Sequence, residues 1–440
     1  MALSIEQLAQ VLNRYPGIKR YWIAYSGGLD SHVLLHGLAS LRSHFPDASF
    51  HAVHIHHGLH ADADLWTTHC ASICAALNIP LEIIRVDARP APGESPEAAA
   101  RESRYAALRR LVHNGDALLT AHHQDDQAET LLLQLFRGAG VEGLAAMPHA
   151  SEFAHALHLR PLLEVTRAQI LDYAQEHSLH WIEDDSNASL SYDRNFLRHQ
   201  VIPVLKTRWP SVQMSISRSA RHMAEAADWL AEQARVALAS CRTEDPHALS
   251  MSALRTLDEY LRRLVLRAWW KELQVPLPTQ AQLQHVLRDV LQAKPDATPC
   301  VQWSDVEIRG YRDRIHVLRQ TAEHDPSAMH AWDLQSTLTI PGLGELAALP
   351  SMHPGIRRSL AGRQGFSIRF RRGGERLVPA GRGFSHSLKN MLQEAGIPPW
   401  QRDRTPILYD GEQIVAVLGV CVCESYQSAA GEESLELQWL

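Results

Sequence analysis

A chain of 440 residues and 49.3 kDa exceeds what one ordinary hydrophobic core holds, so two or three domains are expected. Its 45% hydrophobic content, with 24 Gly and 23 Pro, excludes disordered, collagen-like and low-complexity classes. No apolar run reaches the length a bilayer needs and the opening residues lack a basic and apolar leader pattern, so a soluble, cytoplasmic protein is expected, with no membrane partner. The net charge of -6 argues at first sight against a polyanionic partner, yet only five of the 43 basic residues are lysine and the rest are arginine.

In the first two hundred residues, short apolar runs alternate with longer amphipathic stretches, the pattern of βαβ units around a parallel sheet. Strands are predicted at Tyr21–Tyr25, Phe50–Ile55, Leu81–Val86 and Ala117–Ala121, and helices at Ser31–Leu41, Asp64–Leu77, Pro96–Val112 and Asp126–Leu135. Helical spacing then dominates at Ser211–Leu238, Ser252–Leu273 and Thr279–Leu291, followed by β runs at Cys300–Trp303, Val306–Arg309 and Ile315–Leu318. The polar stretch 320–328 reads as a linker. Beyond it the pattern predicts strands at Phe366–Phe370 and Ile414–Val422 and a helix near Ser387–Glu394. The expected architecture is an α/β nucleotide-binding domain with a parallel sheet at 1–210, a mainly helical domain at 211–320 and a small α+β domain at 330–440.

Ser26-Gly27-Gly28-Leu29-Asp30-Ser31 lies between the first strand and the first helix of the sheet. Glycines there permit unusual backbone angles and let the main chain approach a ligand, while successive N–H groups at a helix start attract an anion. Ser26 and Ser31 add hydroxyls, and Asp30, which would repel a bare phosphate, points to a bridging Mg²⁺. No Gly-Lys-Ser/Thr triplet is present, which disfavours a Walker-type loop. The loop resembles that of the PP-loop ATP pyrophosphatases, which implies ATP cleavage between the α and β phosphates and adenylation of a substrate oxygen.

The second constellation is Thr120-Ala121-His122-His123-Gln124-Asp125-Asp126-Gln127-Ala128-Glu129-Thr130, again a strand end entering a helix. Asp126 and Glu129, three apart, share a helix face and make a carboxylate pair able to bind an ammonium, hold a cation or take a proton. The six cysteines, at 70, 74, 241, 300, 421 and 423, form no CxxC pair, which disfavours persulfide chemistry, and Ala2 stands where a Cys-dependent amidotransferase needs cysteine. Cys70 and Cys74 read as small core residues. The histidines at 54, 56, 57 and 60 lack the ligands to complete a zinc site.

Together with these motifs, Arg160-Pro161-Leu162-Leu163, Glu183-Asp184-Asp185, Arg194-Asn195-x-x-Arg198-His199, Phe370-Arg371-Arg372-Gly373-Gly374-Glu375-Arg376 and Ile397-Pro398-Pro399-Trp400-x-Arg402-x-Arg404 resemble the bacterial tRNA(Ile)-lysidine synthases. His60 departs from the arginine common after His-Gly-Leu in that family. The resemblance implies an ATP- and Mg²⁺-dependent ligase that joins free L-lysine to the wobble cytidine of a CAU anticodon in tRNA(Ile). It implies Asp30 on Mg²⁺ and residues 26–31 on ATP. On that resemblance Asp126 and Glu129 are expected to grip and deprotonate lysine. Arg194 and Arg198 are expected either on phosphate or the target base, or in salt bridges with Glu183–Asp185. A small-molecule amide ligase related to NAD synthetase and a silent tRNA-binding protein are the other readings. A homodimer is among the oligomeric states left open.

Residues 355–410 hold ten arginines and one lysine against four acidic residues, the electrostatic footprint of a nucleic-acid contact. Arg371, Arg372, Arg376, Arg382, Lys389, Arg402 and Arg404 are the candidates there for tRNA phosphate, while Trp400 reads equally as a base-stacking platform and as a core plug.

Overall fold

The computed structural model describes residues 3–440 apart from 59, 91–95, 186–188, 295–296, 298, 320–323 and 430. Part of the expected linker thus lies outside the described residues. The chain divides into two compact units, Met1–Gln233 and Ala234–Leu440.

The first unit runs α1 (Ile5–Asn13), β1 (Arg20–Ala24), α2 (Leu29–Ser40), β2 (Ser49–His56), α3 (Ala63–Ala76), β3 (Leu81–Arg85), α4 (Pro96–Leu111), β4 (Asp116–Leu119), α5 (Gln124–Phe136), α6 (Val141–Leu144), β5 (Ala150–Phe153), β6 (Ala156–Leu159) and α7 (Arg167–Glu176). Two short helices, α8 (Asp193–Phe196) and α9 (Ile202–Arg208), joined by a π-helical turn, lead into the long α10 (Val212–Cys241). The sheet order is β3-β2-β1-β4-β6-β5, parallel except for β5. The apolar runs of β1 and β4 are central and buried on both faces, which is why they read as continuous rather than alternating. The chain leaves β1 for β2 on one side and returns with β4 on the other, so a crevice opens where their carboxyl ends diverge. Both motifs of the sequence lie at its mouth.

The β5–β6 hairpin has no counterpart among the predicted elements. Its turn puts Ala154 at a φ of 52°, a place where Gly or Asn would have announced the reversal.

The second unit contains two separate buried apolar clusters. One gathers Leu238, Trp269, Trp270, Val286, Trp303 and Ile308. It is built by the foot of α10, three helices and a four-stranded antiparallel sheet. The helix predicted over Ser252–Leu273 is two, Met251–Thr256 and Glu259–Glu272, because extended Leu257 is followed by Asp258, whose side chain caps the second from the Leu261 N–H at 2.9 Å. The third helix, Gln280–His285, passes into a π-helical turn at Val286–Val290. The other cluster, with Phe366, Phe370, Leu388, Leu392 and Val415, underlies the antiparallel sheet that includes Phe366–Arg369, Ile407–Asp410 and Gln413–Val417. The strand predicted as Ile414–Val422 turns back at Gly419, φ 67°, so that Val417 pairs with Cys421. Among the described residues no helix is long and apolar enough to cross a membrane.

Candidate active site

The loop between β1 and α2 is held by its own serines. Ser31 Oγ accepts the Ser26 N–H at 3.2 Å and donates to the Gly28 carbonyl at 3.0 Å, and the two hydroxyls lie 3.0 Å apart. Gly27 has a φ of 87°, and a Cβ there would meet Ile182 Cδ1 at 2.7 Å and Cys70 Sγ at 3.1 Å. Only glycine satisfies both constraints. Leu29, expected to touch ATP, sends its side chain into the core beside Val33 and Leu34, which leaves its helix-start N–H as the group an anion could meet. Cys70 and Cys74 are buried in the same cluster, as expected.

Across the crevice the start of α5 is capped internally, Asp126 Oδ2 accepting the His123 N–H at 3.0 Å. His123 stands between the two motifs, its Nε2 3.6 Å from Asp30 Oδ2 and 3.5 Å from Asp126 Oδ2. Burial opposes charge on this ring, but Asp30, Asp126 and Asp125 outweigh it and raise its pKa above the ordinary histidine value. Arg167, at the start of α7, approaches the same Asp30 oxygen at 3.5 Å. The other oxygen, Asp30 Oδ1, is buried and has no hydrogen-bond partner among the described residues. That free oxygen fits a Mg²⁺ ion, which binds through one or two carboxylates together with substrate phosphates and water.

Asp126 and Glu129 do share a helix face, and two arginines from α8 and the turn after it close over them. Arg194 Nε reaches Glu129 Oε2 at 2.8 Å and its Nη2 reaches Asp126 Oδ1 at 3.2 Å. Arg198 Nε reaches Glu129 Oε1 at 2.7 Å, with Nη2 on Glu129 Oε2 at 2.9 Å and on Asp126 Oδ1 at 3.1 Å. These carboxylates are partners that the sequence reading of the two arginines did not name. Both guanidiniums, about a quarter exposed, neutralise the carboxylates of α5. Burial works against the Asp126 carboxylate, but His123, Arg194 and His122 more than offset it and hold its pKa down to about 2.

A polar chain missed by the sequence reading flanks the cluster. Thr120 Oγ1 lies 2.8 Å from both His122 Nδ1 and His158 Nε2, and Arg160 Nη2 lies 3.1 Å from His158 Nδ1. The Arg160-Pro-Leu-Leu motif is the signal for it, but β6, which carries His158, is absent from the predicted strands.

In the second unit the basic candidates divide. Arg372, Arg376, Arg382 and Lys389 are exposed, with Arg382 paired to Glu394 at 2.7 Å and Arg376 bonded to Ser385. Arg371 is half-buried, 3.6 Å from Asp403. Arg402 is spent on the Ile397 carbonyl at 2.9 Å and the Tyr311 hydroxyl at 3.2 Å, and Arg404 on the Gly342 carbonyl at 2.7 Å. These two, half-buried, tie loops of the unit together. The half-buried Trp400 indole packs against Tyr311, His316 and Arg309.

Residues 2–205 match the family model of the PP-loop domain, 249–316 that of the TilS substrate binding domain and 366–439 that of the TilS substrate C-terminal domain. The tRNA(Ile)-lysidine synthase of Coxiella burnetii is 41% identical over 97% of this chain and 94% of its own, and that of Methylococcus capsulatus is 43% identical over 95% of each. The chain belongs to the tRNA(Ile)-lysidine synthase family. The enzyme of Edwardsiella ictaluri, 41% identical over 98% of this chain and 97% of its own, extends the match to the same limits. Membership bears out the PP-loop assignment of the first domain and separates the chain from small-molecule amide ligases.

Proposed function

We propose that the enzyme joins L-lysine to C2 of the wobble cytidine in the CAU anticodon of tRNA(Ile), through an adenylated cytidine, releasing AMP and diphosphate. The observation that carries the reading is the pairing of a phosphate-type loop after β1 with a charge-rich cluster after β4, on two strands adjacent in the sheet. In the first step O2 of cytidine attacks the α-phosphorus of ATP and diphosphate leaves. In the second the ε-amine attacks C2, the C2–O2 bond breaks, and O2 departs with AMP.

Residues 26–31 hold phosphate oxygens, Ser26 through its hydroxyl and the residues after it through loop and helix-start N–H groups, with the Gly27 conformation letting main chain approach them. Asp30 would hold Mg²⁺ through Oδ1, where the ion would screen phosphate charge. Free lysine is a zwitterion with a second ammonium, and the cluster offers both signs: Asp126 and Glu129 for ammonium, Arg194 and Arg198 for carboxylate. Lysine binding then exchanges one set of ion pairs for another without stranding a buried charge. The exposed cations Arg372, Arg376, Arg382 and Lys389 supply phosphate contacts to tRNA. Two separate apolar clusters within Ala234–Leu440 support two distinct tRNA modules there, one in the part of 211–320 that follows Gln233 and one in 330–440. A cytoplasmic location goes with a tRNA substrate.

The test is incubation with ATP, radiolabelled lysine and tRNA transcripts. Label entering tRNA(Ile) with a CAU anticodon, and no transcript with another anticodon, is expected; absence of label from tRNA sinks the reading.

A further inference from the structure

The chain Arg160, His158, Thr120, His122 runs from the interior to the edge of the cluster formed by Asp126 and Arg194, whose charges both act on His122. Its direction follows from the donors and acceptors each group possesses. A guanidinium has no acceptor, so His158 Nδ1 must accept from Arg160, and the neutral ring carries its proton on Nε2. That N–H donates to Thr120 Oγ1. Buried Thr120 has one hydroxyl proton to place, and the acceptor open to it is His122 Nδ1, at 2.8 Å. His122 is left with its proton on Nε2.

The groups around the chain agree on neutrality. Burial comes first, with Arg160, His122 and Arg101 adding to it, in pushing His158 down to about 3. Burial likewise pushes His122 down to about 4, Asp126 opposing and Arg160, Arg194 and Arg101 assisting. Arg160 itself is 8% exposed, and among the described residues no carboxylate lies within ion-pair distance of it. A buried cation without a counter-ion is expensive, and its bond to a ring nitrogen gives it a use. Its Nη1 is anchored on the Pro148 carbonyl at 2.8 Å, which fixes the guanidinium relative to β6.

We propose that His122 serves the reaction as a neutral hydrogen-bond donor locked in the Nε2–H tautomer, and that Arg160, acting through His158 and Thr120, is the positioning residue that sets this tautomer. His122 is thereby excluded as the base that deprotonates lysine; it offers a proton to an oxygen of the reacting groups, phosphate or cytidine O2. This role rests on the ligase reading, whereas the tautomer is a property of the free protein.

The tautomer is read by nitrogen-15 NMR on the full chain with labelled histidine at neutral pH, His122 being assigned from the signals that vanish in His122→Gln. A protonated Nε2 and an unprotonated Nδ1 are expected. Thr120→Val, nearly isosteric, cuts the relay and is expected to give a mixture of tautomers at His122 and to lower kcat roughly tenfold, short of the loss expected on deleting a donor outright. The KM values for lysine and ATP should hold, and Thr120→Ser should restore both signal and rate. A protonated Nδ1 in the native enzyme, or a Thr120→Val spectrum identical to it, overturns the proposal. So does a rate loss that serine fails to restore. If the native enzyme labelled no tRNA with lysine, the ligase reading would fail while the tautomer measurement stood.

Discussion

Arg198 grips Glu129 with two parallel contacts, Nε to Oε1 at 2.7 Å and Nη2 to Oε2 at 2.9 Å, on a carboxylate with no exposure to water. Bidentate geometry in a desolvated setting makes this pair expensive to break from one side, because the arginine left behind keeps its charge. Glu129→Ala strands Arg198 and Arg194 together. It should destabilise the enzyme by about 3–5 kcal/mol in urea unfolding, the range for losing one partner of a buried pair. A loss below about 1 kcal/mol, the range of exposed pairs, would mean the cluster is solvated in solution.

The neighbouring Asp126 gives a pH dependence with a definite sign. Its folded pKa of about 2 lies below the ordinary 3.8, so the stabilisation it brings is complete above the ordinary value and is lost as pH falls through 2. Unfolding free energy should therefore drop steeply between about pH 4 and 2, and Asp126→Asn should flatten that limb, as followed by urea titrations across the range. An unchanged acid limb in the variant would assign it to other carboxylates.

How much of the site is legible in the sequence depends on range. The loop at 26–31 and the pair Asp126 and Glu129 are legible because their chemistry is written in consecutive residues between a strand and a helix. The partners of that pair are not. Arg194 and Arg198 lie more than sixty residues away, and sequence spacing offers the nearer Glu183–Asp185 as an equally good match. Periodicity finds the helix over Ser252–Leu273 but not its break, since Leu257 continues the apolar spacing and only the cap at Asp258 interrupts it. Composition marks the basic block correctly as a region, yet cannot tell Arg402 and Arg404, which bind carbonyls, from exposed Arg372.

Gly27 supports a third prediction. An alanine there must hold a φ of 87° and place its Cβ 2.7 Å from Ile182 Cδ1. The contact can be relieved by the flexible end of isoleucine, but the backbone angle cannot. Gly27→Ala should therefore lose ATP binding in equilibrium dialysis, and adding Ile182→Val should not recover it. Recovery in the double variant would mean the loop tolerates another backbone conformation.

The last prediction separates cations that bind RNA from cations that hold the fold. Arg372 and Lys389 are exposed, so neutralising both in Arg372→Gln/Lys389→Gln should weaken tRNA binding and reduce the slope of log affinity against log salt by roughly two, one for each phosphate no longer neutralised. Arg402→Gln instead removes the bonds to the Ile397 carbonyl and the Tyr311 hydroxyl. Charge-assisted bonds of this kind contribute about 1.5–3 kcal/mol, so its unfolding midpoint should fall while the salt slope holds. Filter-binding titrations at several salt concentrations, paired with thermal unfolding of the same preparations, distinguish the two behaviours. A salt slope that moved with Arg402 and stayed constant in the double variant would invert the assignment and place the RNA contact on the Tyr311 side of the unit.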